Sequence, residues 1–242
     1  MGGYAAVVLA GGAARRMGGT DKPARPVAGR PMRDRVLAAV PDADPRILVG
    51  PAPGTSAGAS AGALVGGGQP PGGSVAALDG VLVTREQPPG GGPVAALAAG
   101  LDLLPATTTV VAVLAADLPL LTRDAIGHLL GHLDAPQPAE ATSADTRASA
   151  PGGSDAATID GVCFVDADGR RQTLCGVWRV DALRAALDRL AAERGGVLAG
   201  APLRALLAGL TVVEVPWSSD GPPPWFDCDT DEDVRRAEEW AR

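Results

Sequence analysis

The sequence predicts an α/β fold built on a mainly parallel sheet with one antiparallel hairpin. Residues 4–9 and 109–115 are continuous apolar runs rich in valine, leucine and alanine, the pattern of strands that are buried on both faces. Helix patterns lie between the strand patterns, as in parallel sheets whose connections cross over. Residues 158–165 and 170–178 form two strand patterns joined by a short turn, and this hairpin supplies the antiparallel component.

The first half of the chain alternates strands and helices. Pro31 and Pro93 each stand where a helix can begin, because the fixed φ of proline suits the first helical position. The elements predicted between the runs at 4–9 and 109–115 are helix 32–39, strand 46–50, strand 81–83 and helix 94–104.

The second half continues with helices that have recognisable starts. Thr122 can cap a helix that runs through residue 133, with Asp124 in its first turn. Thr230 and Asp233 form a capping box that opens the last helix, which ends at residue 240. Between them the patterns predict helix 180–192, a helix from Pro202 and strand 211–215.

The length of 242 residues fits one α/β domain, and we predict a single domain over 1–242. Two stretches at about 51–74 and 134–157 consist mainly of Gly, Ala, Ser, Pro and Asp. They carry too few large apolar side chains to pack a core, so we interpret them as low-complexity insertions.

Composition excludes several classes of protein. A formal charge of −7 without a basic run argues against general affinity for nucleic acid or anionic membranes. No window approaches 18 uninterrupted apolar residues, and no basic segment precedes an apolar one, so we expect a soluble, cytoplasmic protein. Cys163, Cys175 and Cys228 are an odd number at wide spacings, which favours reduced, buried thiols over disulfides or zinc.

A glycine loop and three cations follow the first strand. Gly11 and Gly12 remove side chains where the backbone turns, and Arg15, Arg16 and Lys22 add positive charge. Backbone donors beside cations suit a polyphosphate, although two glycines after a strand are also typical of an ordinary turn. The spacing matches neither the Walker loop nor G-x-G-x-x-G.

The same stretch resembles the L-A-G-G-x-x-x-R-M-G-x-D-K signature of nucleotidyltransferases related to MobA, the molybdenum cofactor guanylyltransferase. The first four positions of the signature match Leu9, Ala10, Gly11 and Gly12. Its remaining positions match RMG at 16–18 and DK at 21–22, with one extra residue before Asp21. The resemblance implies a Rossmann-like three-layer α/β/α nucleotidyltransferase fold. It also implies transfer of a nucleotide from a triphosphate, with Arg16 and Lys22 on the phosphates.

Three later segments extend the resemblance. Gly92-Pro93-Val94 matches a G-P-[LIV] segment whose helix N-terminus can face an anion. The same residues are also typical of an ordinary helix start without a ligand. Asp117 follows the strand at 109–115, where open α/β sheets bind ligands, and it matches the magnesium-binding aspartate of a D-x-P segment. Residues 171–178 resemble a segment that usually carries a proline where this chain has Thr173.

The C-terminal residues Asp227 and Asp229 match a [DN]-x-[DN]-T-P-E-D segment that lies near the active site in the family. Their carboxylates are candidates for a metal or acceptor contact, and a purely structural role beside the helix cap is the open alternative. His128 and His132 stand four apart on a helix without a third ligand in view, which favours the helix surface over a metal site.

The resemblance thus implies catalytic roles for Arg16, Lys22 and Asp117, and Mg²⁺ held by Asp117 with Asp227 and Asp229 as further candidates. The nucleotide would contact Leu9, Ala10, Gly11, Gly12, Lys22, Glu86, Gly92 and Asp117. Glu86 and Gly50 stand where guanylyltransferases of the group usually carry aspartate and asparagine.

The expected reaction moves GMP from GTP to a phosphorylated acceptor, with molybdopterin favoured. The acceptor phosphate, with a second pKa of about 6, needs no strong general base. Transfer from CTP or another triphosphate to a different phosphorylated acceptor, and a non-catalytic nucleotide-binding relative, remain as alternatives. We expect a monomer or a small homo-oligomer.

Overall fold

The computed structural model describes residues 3–11, 22–51, 76–78, 80–135, 158–218 and 220–241. Its strands are β1 (Ala5–Leu9), β2 (Pro26–Val27), β3 (Arg30–Pro31), β4 (Arg46–Val49), β5 (Ala76–Leu78), β6 (Val81–Thr84), β7 (Val110–Ala115), β8 (Gly161–Val165), β9 (Arg171–Arg179) and β10 (Val212–Pro216). The helices are α1 (Met32–Ala39), α2 (Pro93–Leu101), α3 (Arg123–Asp134), α4 (Val180–Glu193), α5 (Leu203–Leu207) and α6 (Asp231–Trp240).

Eight strands form one sheet in the order β10-β8-β9-β7-β1-β4-β6-β5. Neighbours pair in parallel at β10–β8, β7–β1, β1–β4 and β4–β6, and only β9 and β5 run against the others. The predicted fold class is confirmed, including the antiparallel hairpin of β8 and β9.

Helices cover both faces of the sheet. Alternate residues of β1 point to opposite sides: Ala6 and Val8 pack in the apolar cluster that includes α1 and α3, and Val7 packs in the cluster that includes α2, α4 and α5. Every residue of β1 is buried for this reason, which explains why its sequence is continuously apolar. The result is a three-layer α/β/α arrangement.

One glycine sets the distance between α2 and the sheet. A Cβ atom added at Gly100 would lie 2.6 Å from Cγ1 of Val7 and 3.1 Å from Cγ2 of Val49. The absence of a side chain at Gly100 therefore lets α2 lie directly on β1 and β4.

Most predicted elements are confirmed with small differences at their ends. Pro31 precedes α1 instead of opening it, because it pairs with Pro26 in the β2–β3 hairpin. The helix predicted over 94–104 ends at Leu101. β5 was not predicted, since Ala-Ala-Leu is too short and too poor in β-branched residues to indicate a strand.

Some predicted features lie outside the described residues. They are Gly12, Arg15 and Arg16 of the glycine loop and nearly all of the two low-complexity insertions. The three cysteines are free and buried, as predicted, and burial raises the pKa of Cys163 to about 11 and that of Cys228 to about 12. None of the described helices has both the length and the apolar composition needed to cross a bilayer.

Candidate functional site

The order of the strands reverses beside β1, which lies between β4 and β7. The backbone N–H of Ala10 donates to the carbonyl of Val49 at 2.8 Å, and that of Ala116 donates to the carbonyl of Leu9 at 3.0 Å. Ligands of open α/β sheets bind outside the carboxyl ends of the strands at such a reversal, so the candidate site lies here.

Gly50 is needed at this edge for a conformational reason. Its φ of 153° lies in the region that L side chains rarely adopt, and an added Cβ would stand 2.9 Å from Cβ of Ala10. Ala10 therefore occupies the space that a side chain at position 50 would need, where the resemblance led us to expect an asparagine.

Glu86 carries a buried carboxylate beside the glycine loop; the residue is 7% exposed. The backbone N–H of Gly90 donates to its Oε1 at 3.1 Å. A Cβ atom added at Gly11 would stand 3.1 Å from the same Oε1. Glycine at position 11 therefore leaves room for the carboxylate to lie against the loop backbone.

The N-terminus of α2 has no side-chain cap. Gly92 takes the capping position with φ of 88°, a conformation that favours glycine, and Pro93 is the first helical residue. The first-turn N–H groups of α2 lack a capping side chain, and the positive end of the helix dipole lies there.

Lys22 and Asp117 meet at the end of β7. Lys22 lies on the 3₁₀ turn Lys22–Ala24, and its Nζ donates to Oδ2 of Asp117 at 2.5 Å and to Oδ1 of Asp229 at 2.6 Å. The side chains of Lys22 and Asp117 are 16% and 22% exposed, whereas that of Asp229 is 73% exposed. An ammonium group thus lies between two carboxylates, one of them from the far end of the sequence.

The C-terminal segment is held against β7 by its own contacts. The N–H of Cys228 donates to the carbonyl of Asp117 at 3.3 Å. The predicted capping box of Thr230 and Asp233 is present at the start of α6. Apolar side chains of this segment form a separate cluster with the β2–β3 hairpin and α1: Val27, Met32, Leu120, Cys228, Val234 and Ala237.

The carboxylates of Asp117 and Asp229 raise the pKa of two neighbouring groups, Lys22 and Asp227. Burial lowers the pKa of Lys22, but the hydrogen bonds and charges of Asp117 and Asp229 outweigh it and raise that pKa above its ordinary value. Asp227 keeps access to solvent, yet partial burial of its carboxyl group and the charges of Asp229 and Asp117 raise its pKa. A single ammonium therefore lies beside two carboxylates, and the charges of those two carboxylates reach the third, Asp227.

The donors present are oxygen atoms, which suit a hard cation such as Mg²⁺. Within the described ranges, no group of three or more His, Cys, Asp or Glu side chains stands ready to enclose a metal ion. Magnesium usually takes one or two protein carboxylates, with water and substrate phosphates as its other ligands. Asp117 and its neighbours fit that mode of binding.

The remaining predicted residues separate into two groups. The structure brings together Leu9, Ala10, Gly11, Lys22, Asp117 and the C-terminal carboxylates at one edge, which we call the strand-end crevice, with Glu86 beside Gly11. His128 and His132 lie on α3 with their ring centroids 4.8 Å apart; His128 is exposed and His132 partly so, as expected for a helix surface.

Sequence reasoning missed one supporting contact. Arg35 on α1 donates from Nε to the carbonyl of Pro119 at 2.8 Å and from Nη1 to that of Val27 at 3.5 Å. This side chain ties the loop after Asp117 to the β2–β3 hairpin. No local pattern around Arg35 signals the contact, because its partner lies 84 residues away.

A concavity lies along α3, and none of the crevice residues lines it. A groove of about 800 Å³, which we call the α3 groove, runs along that helix. Its lining includes Tyr4, Asp42, Arg123, Gly127 and Arg179. The groove extends to the amino-terminal ends of β1 and β7.

Comparison with known proteins identifies the family of this chain. The family described as MobA-like NTP transferase domain matches residues 6–214. A molybdenum cofactor guanylyltransferase of Bradyrhizobium sp. (strain ORS 278) is 31% identical, over 97% of this chain and 92% of that protein.

Two solved structures share the fold. Molybdopterin-guanine dinucleotide biosynthesis protein A of Archaeoglobus fulgidus superimposes with a TM-score of 0.60 at 17% identity, covering 98% of this chain and 97% of that one. The 2-C-methyl-D-erythritol 4-phosphate cytidylyltransferase of Thermus thermophilus gives 0.58 at 18% identity, covering 99% of each.

Proposed function

The chain belongs to the MobA-like NTP transferase family and is a nucleotidyltransferase, and from this premise we propose that it transfers GMP from GTP to a phosphorylated acceptor, with pyrophosphate as the leaving group. The favoured acceptor is molybdopterin. The observation that carries the proposal is the ammonium of Lys22, held beside Asp117 at the carboxyl end of the central strands.

The reaction needs positioning and charge neutralisation more than covalent chemistry. An acceptor oxygen attacks the α-phosphorus in line, and the bond to the leaving pyrophosphate breaks while negative charge grows on its oxygen atoms. Lys22 supplies a positive charge that is already partly removed from water, so it attracts a phosphate oxygen more strongly than a fully solvated lysine would. Arg16 is proposed to act on the same phosphates.

Magnesium fits the oxygen donors of Asp117 and Asp227, with Asp229 as a further candidate. A bound Mg²⁺ supplies charge neutralisation on the triphosphate and helps orient it. The role of this chain's residues is to present carboxylate oxygens beside the phosphates and to hold the loop after β7 in place, which Arg35 supports through Pro119.

The nucleotide base is proposed to lie over the glycine loop. Base and ribose are proposed to approach the backbone of Leu9, Ala10, Gly11 and Gly12. The carboxylate of Glu86 lies against Gly11. Guanine presents neighbouring N–H donors that a carboxylate can accept together, whereas cytosine presents one amino group. This chemistry and the guanylyltransferase relative at 31% identity favour GTP.

The uncapped N-terminus of α2 at Gly92 is proposed to contact the triphosphate. Its first-turn N–H groups have no side-chain acceptor, and the helix dipole favours an anion there. The glycine removes the side chain that would stand between the helix end and the ligand.

A phosphorylated acceptor agrees with the residues in the crevice. A phosphate monoester, with a second pKa of about 6, is mostly dianionic at neutral pH and can attack without a general base. Both histidines of the chain lie on α3, and His128 lines the α3 groove, which none of the crevice residues lines. An alcohol or amine acceptor would need a base that these residues do not supply.

The second candidate is cytidylyl transfer to a different phosphorylated acceptor. The similarity in fold to a cytidylyltransferase, with a TM-score of 0.58, favours it. A non-catalytic nucleotide-binding role is less favoured, because Lys22 and Asp117 are both present and in contact.

The test is a panel of the four nucleoside triphosphates with Mg²⁺, each with and without molybdopterin, monitored for pyrophosphate. Release with GTP that depends on molybdopterin supports the proposal. Release with CTP alone would replace GTP by CTP in the proposed reaction. Absence of release with every triphosphate in the presence of molybdopterin would contradict transfer to that acceptor.

A further inference from the structure

Lys22 is the only lysine among the 21 lysine and arginine residues of this chain. Every other permanently cationic side chain is arginine. The one lysine stands on the 3₁₀ turn Lys22–Ala24 and reaches the residues after β7 with its Nζ, so the geometry of its ammonium group, which differs from that of a guanidinium, bears on its role there.

The contacts of Lys22 explain why an ammonium group suits this position. Its Nζ meets two carboxylate oxygens at 2.5 and 2.6 Å, from Asp117 and Asp229. An ammonium offers three N–H donors around one atom and can point to two carboxylates from different directions. A guanidinium spreads its donors over a planar fork and suits one carboxylate held side by side.

Asp229 reaches Lys22 only because the end of the chain folds back. Residues 226–241, which we call the C-terminal clasp, are attached through Cys228 to the backbone of Asp117 and through α6 to the β2–β3 hairpin. Lys22 and Asp229 are 207 positions apart in sequence. The clasp therefore presents the carboxylate of Asp229 to Lys22 on the 3₁₀ turn.

We propose that Asp229 is a positioning residue for Lys22, through which the C-terminal clasp orients the ammonium beside Asp117 before substrate binds. The reason is conformational. A lysine side chain has four rotatable bonds. One carboxylate partner leaves this side chain several arrangements, whereas two carboxylates from separate segments leave it few. The catalytic part of this inference rests on the proposed function of Lys22.

The chain contains a matched control in the same clasp. Asp231 accepts a hydrogen bond from Nη1 of Arg25 at 2.5 Å, and its side chain is 75% exposed, against 73% for Asp229. Asp231→Asn removes the same charge from the same segment without touching Lys22. Comparison with Asp229→Asn thus separates positioning of Lys22 from general attachment of the clasp.

The single lysine makes a direct measurement possible. Protein grown with ¹³C,¹⁵N-lysine gives one set of lysine side-chain signals in nuclear magnetic resonance, and that set reports on Lys22 alone. We expect Asp229→Asn to shift the ammonium signal and speed its hydrogen exchange, while Asp231→Asn leaves both as in the parent. Thermal unfolding of both variants shows whether the clasp remains attached.

Turnover gives the second readout. We expect Asp229→Asn to lower kcat by about tenfold or more, the scale of a small misplacement of a catalytic group, while KM for the triphosphate changes by about twofold or less. Asp231→Asn should keep the parental kcat. An unchanged Lys22 signal in Asp229→Asn, or an altered signal with parental kcat, would overturn the positioning role.

The two proposals fail in different ways. If the parent releases no pyrophosphate from any triphosphate, the proposed function fails, and the lysine signal still decides whether Asp229 holds Lys22. If the parent is active and the signals of the two variants are alike, the positioning role fails and the proposed function stands.

Discussion

The strand-end crevice and the α3 groove each contain a residue type that this chain uses once. Lys22 is the only lysine and lies in the crevice; Tyr4 is the only tyrosine and lines the groove. In the groove, burial, aided by the charge of Asp42, raises the pKa of Tyr4, so the neutral phenol is favoured. In the crevice, two carboxylates outweigh burial and raise the pKa of Lys22, so the charged form is favoured.

Partly buried charged side chains distinguish the candidate site better than the volume of a cavity does. The groove encloses about 800 Å³, but its ion pair between Arg123 and Asp42 is 67% and 51% exposed and therefore well screened. The pair of Lys22 and Asp117 is 16% and 22% exposed. A triphosphate carries several negative charges, and the partly desolvated ammonium of Lys22 can attract them. The half-buried Arg179 of the groove instead donates to the backbone carbonyls of Ile159 and Leu133.

The largest expected effect contrasts the two aspartates of these ion pairs. Asp117→Asn keeps the shape of the side chain and removes the anion, so we expect turnover to fall by about two orders of magnitude or more. The free energy of unfolding should change by about 1 kcal/mol or less. Measurement of pyrophosphate release over a range of Mg²⁺ concentrations, beside thermal unfolding, checks both values.

Asp42→Asn is the matched variant, because it breaks the corresponding ion pair in the groove. It should retain parental turnover. If Asp117→Asn shows the parental rate and the parental magnesium dependence, Asp117 is not part of the active site. The crevice and the groove would then not differ in function.

The next effect contrasts the two cations. Lys22→Ala should lower turnover by about tenfold to hundredfold, because the positive charge beside the phosphates is lost. Arg123→Ala should leave turnover unchanged and alter the free energy of unfolding by about 0.5 kcal/mol, as is usual for an exposed ion pair. Steady-state kinetics measures the turnover of both variants. Similar losses of turnover in the two variants would show that the crevice and the groove do not differ in function.

Two glycines give a smaller contrast. An alanine Cβ at Gly11 would stand 3.1 Å from Oε1 of Glu86, whereas at Gly127 on α3 no atom lies within 4 Å. Gly11→Ala should raise KM for GTP by about tenfold, equivalent to about 1.4 kcal/mol, because Glu86 must move. Gly127→Ala should leave KM unchanged and stabilise the protein by about 0.5–1 kcal/mol, through helix propensity. A parental KM in Gly11→Ala would argue against Glu86 as the base contact.

The smallest effect concerns the alkaline side of the stability profile. The folded-state pKa of Tyr4 lies above its ordinary value of 10.0, so its contribution to stability is complete below pH 10 and is lost as pH rises through the folded pKa. Absorbance titration of the single tyrosine should give a midpoint above pH 10. Tyr4→Phe should lessen the loss of stability in that range, and a tyrosine midpoint at or below 10 would show that the groove does not exclude charge.

Local patterns predicted most of the sheet and one half of the candidate site. β1 and β7 are buried on both faces, which forces a continuous apolar sequence, and Thr122 and Thr230 cap their helices in the expected way. The family resemblance implied roles for Lys22 and Asp117 at the triphosphate, and the structure brings the two side chains into contact. The strands and helix caps were predictable because each depends on residues near one another in sequence.

The remaining features depend on distant pairs. Nothing near Asp229 indicates that its carboxylate meets Lys22, 207 positions away, and nothing near Glu86 indicates that it lies against Gly11. β5 exists through its pairing with β6, since its three residues carry no strand pattern of their own. Contacts of this kind form when distant parts of the chain come together. No local sequence pattern therefore predicts them.

The most direct test of nucleotidyl transfer in the crevice follows the two ends of the triphosphate separately. The parent protein is incubated with Mg²⁺, molybdopterin and GTP labelled with ³²P at either the α or the γ position. Transfer of GMP predicts that the α label appears in the acceptor product and the γ label in pyrophosphate, and that both transfers are lost in Asp117→Asn. Appearance of the γ label on the acceptor, or transfer at the parental rate by Asp117→Asn, would contradict nucleotidyl transfer at this site.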